Sequence, residues 1–420
     1  MMDVSWDTNR LRGPDNQDWR VPTNELEKRQ DLVSKQLDFE GIESILIDDP
    51  VELYWLTGSR QNSYFIMGSK NSDIENTLFV RRSFDRAVFE CGEDNSPHEI
   101  RMQPRMAEIS NELIKMGCNK IPGMLEGKIP HSRFLFLKSK LSEIGGYSRD
   151  CTNILFSLRE KKSQWEIDMM KESGRINKKM FDVIHENGGV GKTEIELAGI
   201  ADKVSRTEGF GGRIRMRNWP MDCDRVVITS GESGAVPSYF DSGVAGLGTS
   251  PISSLGAGFA KIKSNEPVLV DIVHVHRGYV SDCTRIFHEG KLSDFWIESL
   301  NDMNELSDRI VSELGKGFNC SKIWKNVTEK ISELGYSNNL MGIKPNQAKF
   351  IGHSVGLELD ETPVIAQGFD RPLENFGVMA VEPKVVYSDG VVGIEDTWVR
   401  GNQGMECITA GDSLPPLMEW

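Results

Sequence analysis

The sequence predicts a two-domain α/β (α+β) protein, on three observations. Helical and strand-like patterns alternate in short steps from residue 24 to 158, as in an open sheet flanked by helices. From 159 onward the pattern changes to two amphipathic helices followed by β-rich runs that pair as hairpins. A chain of 420 residues is also long for one hydrophobic core. The expected division is an irregular lead-in at 1–23, a first domain at 24–158 and a second at 159–420.

In chain order, residues 1–23 are polar and rich in Pro, Asn and Asp. NELEKRQDLVSKQLDFEG has helical spacing and stops at Gly41, and SILID follows as a strand. Segments 76–90, 104–117 and 132–144 continue the alternation. CTNILFSLREKKSQWE marks the boundary, and a long amphipathic helix covers 163–185 with Met169, Met170 and Met180 facing core. Gly188 and Gly189 stop that helix, and Thr193 with Glu196 makes a capping box for the next, 193–207. GGRIRMRNW alternates Arg213, Arg215 and Arg217 and reads as a strand with a solvated or anion-binding face. Helices near 293–315 and 321–334 interrupt the strand-rich segments that follow.

A net charge of -14 argues against nucleic acid and anionic membrane surfaces as partners. No apolar run approaches the length of a membrane span, and MMDVSWDTNRLRGPDNQDW has no apolar leader core. Cys91, Cys118, Cys151, Cys223, Cys283, Cys320 and Cys407 are odd in number and lack CxxC spacing, which points to reduced thiols and a cytoplasmic setting.

The chemistry lies in the last third. Asp271 and Asp282 occur in VLVDIVHVHRGYVSDCTR, His353 in IGHSVGLELDETP, Glu382 in AVEPK and Glu395 in GIEDT. Four carboxylates and an imidazole form a hard, oxygen-rich set suited to a pair of divalent cations and an activated water. Residues 267–275 and 279–286 read as a hairpin around Arg277-Gly278, which sets Asp271 opposite Thr284 and Asp282 opposite Val273. Both aspartates then share one face, as diagonal neighbours roughly 7–8 Å apart at the backbone. Runs 378–386 and 391–399 form a second hairpin around Ser388-Asp389-Gly390, where an even loop puts Glu382 and Glu395 on a common face. One acid in a β-rich run is ordinarily solvent-facing, but these acids are flanked by Val, Leu and Ile, and a buried carboxylate needs a partner or a metal.

The order Asp, Asp, His, Glu, Glu, set in GYVSDCTR, GHSVGLELDETP, VEPK and GIEDT, resembles the pita-bread metallopeptidases, which include methionine aminopeptidase, aminopeptidase P and prolidase. The likeness covers about 160 to 415, and DDPVELYWLTGS resembles part of the creatinase-type N-terminal domain of the prolidase branch. It implies a creatinase-like α/β domain followed by a pita-bread catalytic domain. It also implies two divalent ions, manganese first, with iron, cobalt or zinc also compatible. Asp271 would chelate one ion, His353 and Glu382 the other, and Asp282 and Glu395 would bridge. Glu382 would also shuttle the proton from the attacking water to the leaving nitrogen. The branch further implies a homodimer and a short peptide substrate with a free N-terminus.

The substrate-handling positions depart from that branch. Its histidine after the Ser-Gly segment is Ser238 here, a second histidine beyond the ligand histidine is Asp360, and an arginine before the last glutamate is Gly393. Ser238 and Asp360 are therefore the expected pocket residues, with Tyr239 and Trp219 as walls. The rival expectation is a metal-dependent lyase, similar to the dimethylsulfoniopropionate lyase of this fold, or a C–N hydrolase of a small zwitterion, with Asp360 as base. A metal-free binding protein is disfavoured because all five ligand positions are kept. Three decoys carry no function. NGGVGKTE lacks the first glycine and the preceding strand of a phosphate-binding loop, GAGFAK lies in a Gly/Ser-rich loop, and parity turns His274, His276 and Cys283 away from Asp271.

Overall fold

The computed structural model describes residues 7, 11–218, 221–409 and 413–420. The chain divides into two compact units, Met1–Leu158 and Arg159–Trp420.

In the first unit, α1 (Thr23–Phe39) precedes β1 (Ser44–Ile47), whose four residues are all buried. Asp49 then caps α2 (Pro50–Thr57) by accepting from the amides of Val51 and Glu52, and Gly58 ends the helix at φ 76°. Only a residue without a Cβ adopts that left-handed position at no cost, which explains the DDPVELYWLTGS motif. The strands β2 (Ser63–Gly68) and β3 (Thr77–Val80) follow in antiparallel order. After α3 (Phe84–Glu90), β4 (Glu99–Met102) adds to β3 in parallel, so the sheet order is β1-β2-β3-β4. Helices α4 (Ile109–Lys115) and α5 (His131–Lys140) pack Ile109, Leu113 and Leu137 into the same core as Leu46, Ile66 and Phe79.

The chain leaves this unit through α6 (Thr152–Glu160). In the second unit, α7 (Gln164–Asn187) and α8 (Glu194–Thr207) both begin in capping boxes, Ser163 with Glu166 and Thr193 with Glu196. They cover one face of a four-stranded sheet built on β5 (Val226–Ser230), β6 (Val268–His276) and β7 (Tyr279–His288). Arg277 and Gly278 form the two-residue turn between β6 and β7 with φ of 51° and 99°, the primed geometry that matches strand twist. Val268, Val270 and Ile272 pack fully buried against α7 and α8, so alternation sends Asp271 and Val273 to the other face. Each such side chain is worth roughly 1.5–3 kcal/mol, and a one-residue slip would exchange them for an aspartate. The register is thereby locked.

Helices α9 (Asp294–Gly315) and α10 (Cys320–Leu334) lead to β8 (Phe350–Ser354), β9 (Glu361–Ala366), β10 (Val378–Val381), β11 (Lys384–Tyr387), β12 (Gly390–Gly393), β13 (Asp396–Gly401) and β14 (Gly404–Cys407). The last strand, β15 (Leu417–Glu419), completes the first sheet in the order β15-β7-β6-β5, parallel to β7. A second sheet runs β14-β13-β10-β8-β9, and β11 with β12 forms a separate pair. The second hairpin is thus not continuous. Its register holds throughout, Val381 facing Asp396 and Lys384 facing Gly393, but each run breaks into two strands at Glu382-Pro383 and Ile394-Glu395. Pro383 has no amide proton to give to a ladder, which accounts for the break. The turn is the pair Ser388-Asp389, with Gly390 already in the strand.

One expected element is absent. Residues 213–217 form no strand, and Arg217 turns inward instead to pair with Glu358.

Candidate metal centre

The five predicted ligands converge on one cavity of about 290 Å³, lined also by Cys223, Phe240, Leu359 and Asp360. Asp271 comes from β6, Asp282 from β7 and His353 from β8, while Glu382 and Glu395 sit at the two strand breaks. At the break the two glutamates do not pair with each other: the Glu382 amide donates to the Ile351 carbonyl and Glu395 bridges to Thr284, and both side chains line the cavity. Asp282, Glu382 and Glu395 are all at least nine-tenths buried.

Neighbouring groups fix three of the predicted ligands, His353, Asp282 and Glu395. His353 Nδ1 lies 2.9 Å from the Leu359 carbonyl oxygen, which can only accept, so Nδ1 carries the proton. Its Nε2 therefore faces the acids, 3.9 Å from Asp282 Oδ2 and 3.6 Å from Glu382 Oε1. Thr397 Oγ1 accepts from the Asp282 amide at 2.9 Å and donates to the Asp282 carbonyl at 2.8 Å. Thr284, on the same strand face as Asp282, donates its hydroxyl to Glu395 Oε2 at 2.9 Å.

Burial, then the repulsion of Glu395 and Asp271, pushes the Asp282 carboxyl well above its ordinary range. Burial likewise raises Glu395 to about 8, against the opposing pull of Lys384. Burial, then the charges of Asp282 and Asp271, push the Cys223 thiol upward. Oδ1 of Asp282 and Oε1 of Glu395 are buried with no hydrogen-bond partner among the described residues. Orphaned carboxylate oxygens of this kind call for a cation. Asp282, His353 and Glu395 offer ligand atoms within 4.8 Å of one another, so this side of the cluster fits a divalent ion. The other side holds an ammonium. Lys384 Nζ lies 2.7 Å from Glu395 Oε2, 2.8 Å from Glu382 Oε2 and 3.3 Å from Asp271 Oδ2. Burial works against that charge, but the three acids outweigh it and hold the ammonium well above its ordinary value.

The expected substrate residues are placed differently from one another. Asp360 lines the metal cavity, but both its oxygens accept backbone amides, from Arg217 at 2.5 Å and Asn218 at 2.8 Å. Ser238 and Tyr239 line a neighbouring cavity of about 280 Å³, not the metal cavity, and Ser238 Oγ donates to the Ser254 carbonyl at 2.5 Å. Trp219 lies outside the described residues. His274 faces α8, where its Nδ1 meets Ser205 Oγ at 2.9 Å, away from the metal cavity. Sequence reasoning overlooked Lys384, although a residue two along from Glu382 belongs on the same strand face.

Residues 168–400 match the pattern of metallopeptidase family M24. The chain belongs to this family. Residues 29–161 of this M24 protein match the creatinase/prolidase N-terminal domain, so the α/β domain precedes a metal-dependent hydrolase domain. The M24 chain is 24% identical over 387 residues to an Xaa-Pro dipeptidase of Pyrococcus furiosus, covering 91% of this chain and 98% of that protein. Its fold matches that of an Xaa-Pro dipeptidase from Bacillus anthracis with a TM-score of 0.77, at 21% identity, over 94% of this chain and 100% of the other. An X-Pro aminopeptidase from Thermotoga maritima matches with a TM-score of 0.73, at 21% identity, over 90% of this chain and 98% of that one. No helix among the described residues is long and apolar enough to cross a membrane.

Proposed function

We propose that this M24 protein is a metal-dependent hydrolase of short peptides or peptide-like amides, of the Xaa-Pro dipeptidase kind. The observation that carries it is the convergence of Asp271, Asp282, His353, Glu382 and Glu395 on one cavity, with buried carboxylate oxygens left unpartnered. Asp282, His353, Glu382 and Glu395 would hold the metal. A divalent ion there supplies Lewis acidity, lowering the pKa of a water and polarising the amide carbonyl.

The chain's own groups do the rest. Glu382 Oε1, facing His353 Nε2, takes the proton of the attacking water and passes it to the leaving nitrogen. Leu359, Phe240 and Leu255 wall the cavity and exclude bulk water, and about 290 Å³ suits a dipeptide better than a long chain. Asp360 holds the 217–218 backbone at the cavity edge, and with both oxygens so engaged it is a poor candidate for the base of a lyase reaction.

Manganese suits the hard donor set. A cytoplasmic setting agrees with seven free cysteines, five of them buried. A homodimer follows from the prolidase-branch resemblance, and size-exclusion chromatography with light scattering tests it. The activity test is a panel of Xaa-Pro and Xaa-Xaa dipeptides with the manganese-loaded protein. Cleavage that disappears together with bound metal in Asp282→Ala is expected; a folded, metal-loaded protein that cleaves none of them overturns the assignment.

A further inference from the structure

The acid cluster contains a cation already. Lys384 Nζ donates to Glu395 Oε2, Glu382 Oε2 and, at 3.3 Å, Asp271 Oδ2, and its side chain is 1% exposed. We propose that Lys384 is a resident cation of this centre and that the chain takes one divalent ion, on the His353 side, where the resemblance implies two. The inference rests on reading the cluster as a metal centre and concerns only how many ions it holds.

Three observations carry it. The first is the division of acceptors. Three of the four acids spend an oxygen on the ammonium, including Asp271, the expected chelator of the first ion. A divalent ion bound through those same oxygens would sit within a few ångströms of the ammonium, and in a buried site that repulsion is weakly screened.

The second is where the demand for positive charge remains. The partnerless buried oxygens belong to Asp282 and Glu395, the two residues that group with His353 within 4.8 Å. No carboxylate oxygen of Asp271 or Glu382 is among the buried partnerless atoms. The unmet need for a cation therefore lies on one side of the cluster.

The third is how the lysine is seated. Lys384 faces Gly393 across the β11–β12 pair, and its stem fills the space a side chain would take there. A Cβ on Gly393 would stand 2.6 Å from Lys384 Cγ and 2.5 Å from the Pro383 oxygen. The position where the prolidase branch carries an arginine is thus empty because the facing strand sends a cation inward. The missing arginine at Gly393 and the inward Lys384 are one arrangement.

The test is metal stoichiometry on the full chain. Purified protein is saturated with manganese, freed of excess and analysed by plasma mass spectrometry, with electron paramagnetic resonance reporting isolated or coupled ions. One isolated ion per wild-type chain is expected, rising to two coupled ions in Lys384→Ala, and in Lys384→Met, which retains most of the stem volume. Asp271→Asn should leave the wild-type count at one but remove the second ion from Lys384→Ala. Two ions on the wild-type chain overturn the inference, as does a folded Lys384→Ala that still holds one. The wild-type count needs no variant, so a variant that fails to fold does not shelter the idea. A wild-type chain that binds no manganese sinks the metal-centre reading and this inference together. One bound ion without dipeptide cleavage sinks only the substrate assignment.

Discussion

Thr284 and Glu395 hold each other through both backbone and side chain. The Thr284 amide donates to the Glu395 carbonyl at 3.1 Å, the Glu395 amide returns a bond at 3.3 Å, and the Thr284 hydroxyl reaches Oε2 at 2.9 Å. The bridge ties the middle of β7 to the break before β13, so the hairpin that supplies Asp282 also positions Glu395. Glu395 lies between β12 and β13, and this contact, together with the Lys384 ammonium 2.7 Å from Oε2, aims its carboxylate.

Removing only the hydroxyl should therefore loosen the centre without unfolding it. Thr284→Val preserves volume and strand propensity, and an outer-shell partner of this type is worth about 10–100-fold in metal affinity. Competition with a chelator should show that weakening, and Thr284→Ser should recover most of it. Wild-type affinity in Thr284→Val would mean that the lysine alone orients Glu395.

A buried ion network beside the cavity should be far less tolerant. Glu361 is 1% exposed and takes Arg159, Lys162 at 2.9 Å and the amides of Leu357 and Glu358 at 3.1 and 3.3 Å. Those cations outweigh the cost of burial and hold its carboxyl well below the usual range. Glu361→Ala would take the carboxylate from the buried Lys162 ammonium and leave Arg159 to Glu358, a loss of about 3–5 kcal/mol. Chemical denaturation measures it, and a change under about 1 kcal/mol would show that water enters the site.

How much of this was legible in the sequence depends on what each residue had to reveal. The turn and register of the β6–β7 hairpin were readable to the residue, though not its strand ends, because Arg277-Gly278 sets the turn and Val268, Val270 and Ile272 alternate with Asp271. The second hairpin gave its register but not its split, since Pro383 ends a ladder only once the neighbouring strands compete for the backbone. Alternating arginines at 213–217 mimicked a strand, whereas a buried acid, Glu358, draws Arg217 inward. No local pattern announces a partner 141 residues away. Lys384 was within reach by strand parity alone, yet a lysine in a β-run is ordinarily solvated.

Acid should destabilise both units through buried histidines. Burial lowers His98 to about 4, and burial and then the charges of His276 and Arg225 lower His274 to about 3, from an ordinary 6.5. Their neutral forms are the native ones, so their full contribution is present above pH 6.5 and is lost as pH falls toward the folded values. Each is worth a few kcal/mol at most, at about 1.4 kcal/mol per unit. Melting of the wild-type chain should drop between pH 7 and pH 4, and His274→Phe should flatten part of that drop while starting from lower stability. An unchanged pH slope in the variant would remove His274 from the account.

Asp360 offers the sharpest separation between holding and reacting. Its two oxygens take the amides of Arg217 and Asn218, charged-acceptor bonds worth about 1.5–3 kcal/mol each. Asp360→Ala should release the segment after Arg213, exposing the bonds following Arg215 and Arg217 to trypsin. It should raise KM about tenfold with the bound-metal count unchanged, since an unpinned wall costs binding on the order of 1.4 kcal/mol. Asp360→Asn keeps one acceptor oxygen and should fall between the two. Asp360→His restores the residue type of the prolidase branch but supplies no pair of acceptors, so Xaa-Pro cleavage should fall rather than rise. If instead the histidine variant gains activity while the segment stays resistant to trypsin, the side chain at 360 meets the substrate directly and its grip on the backbone is incidental.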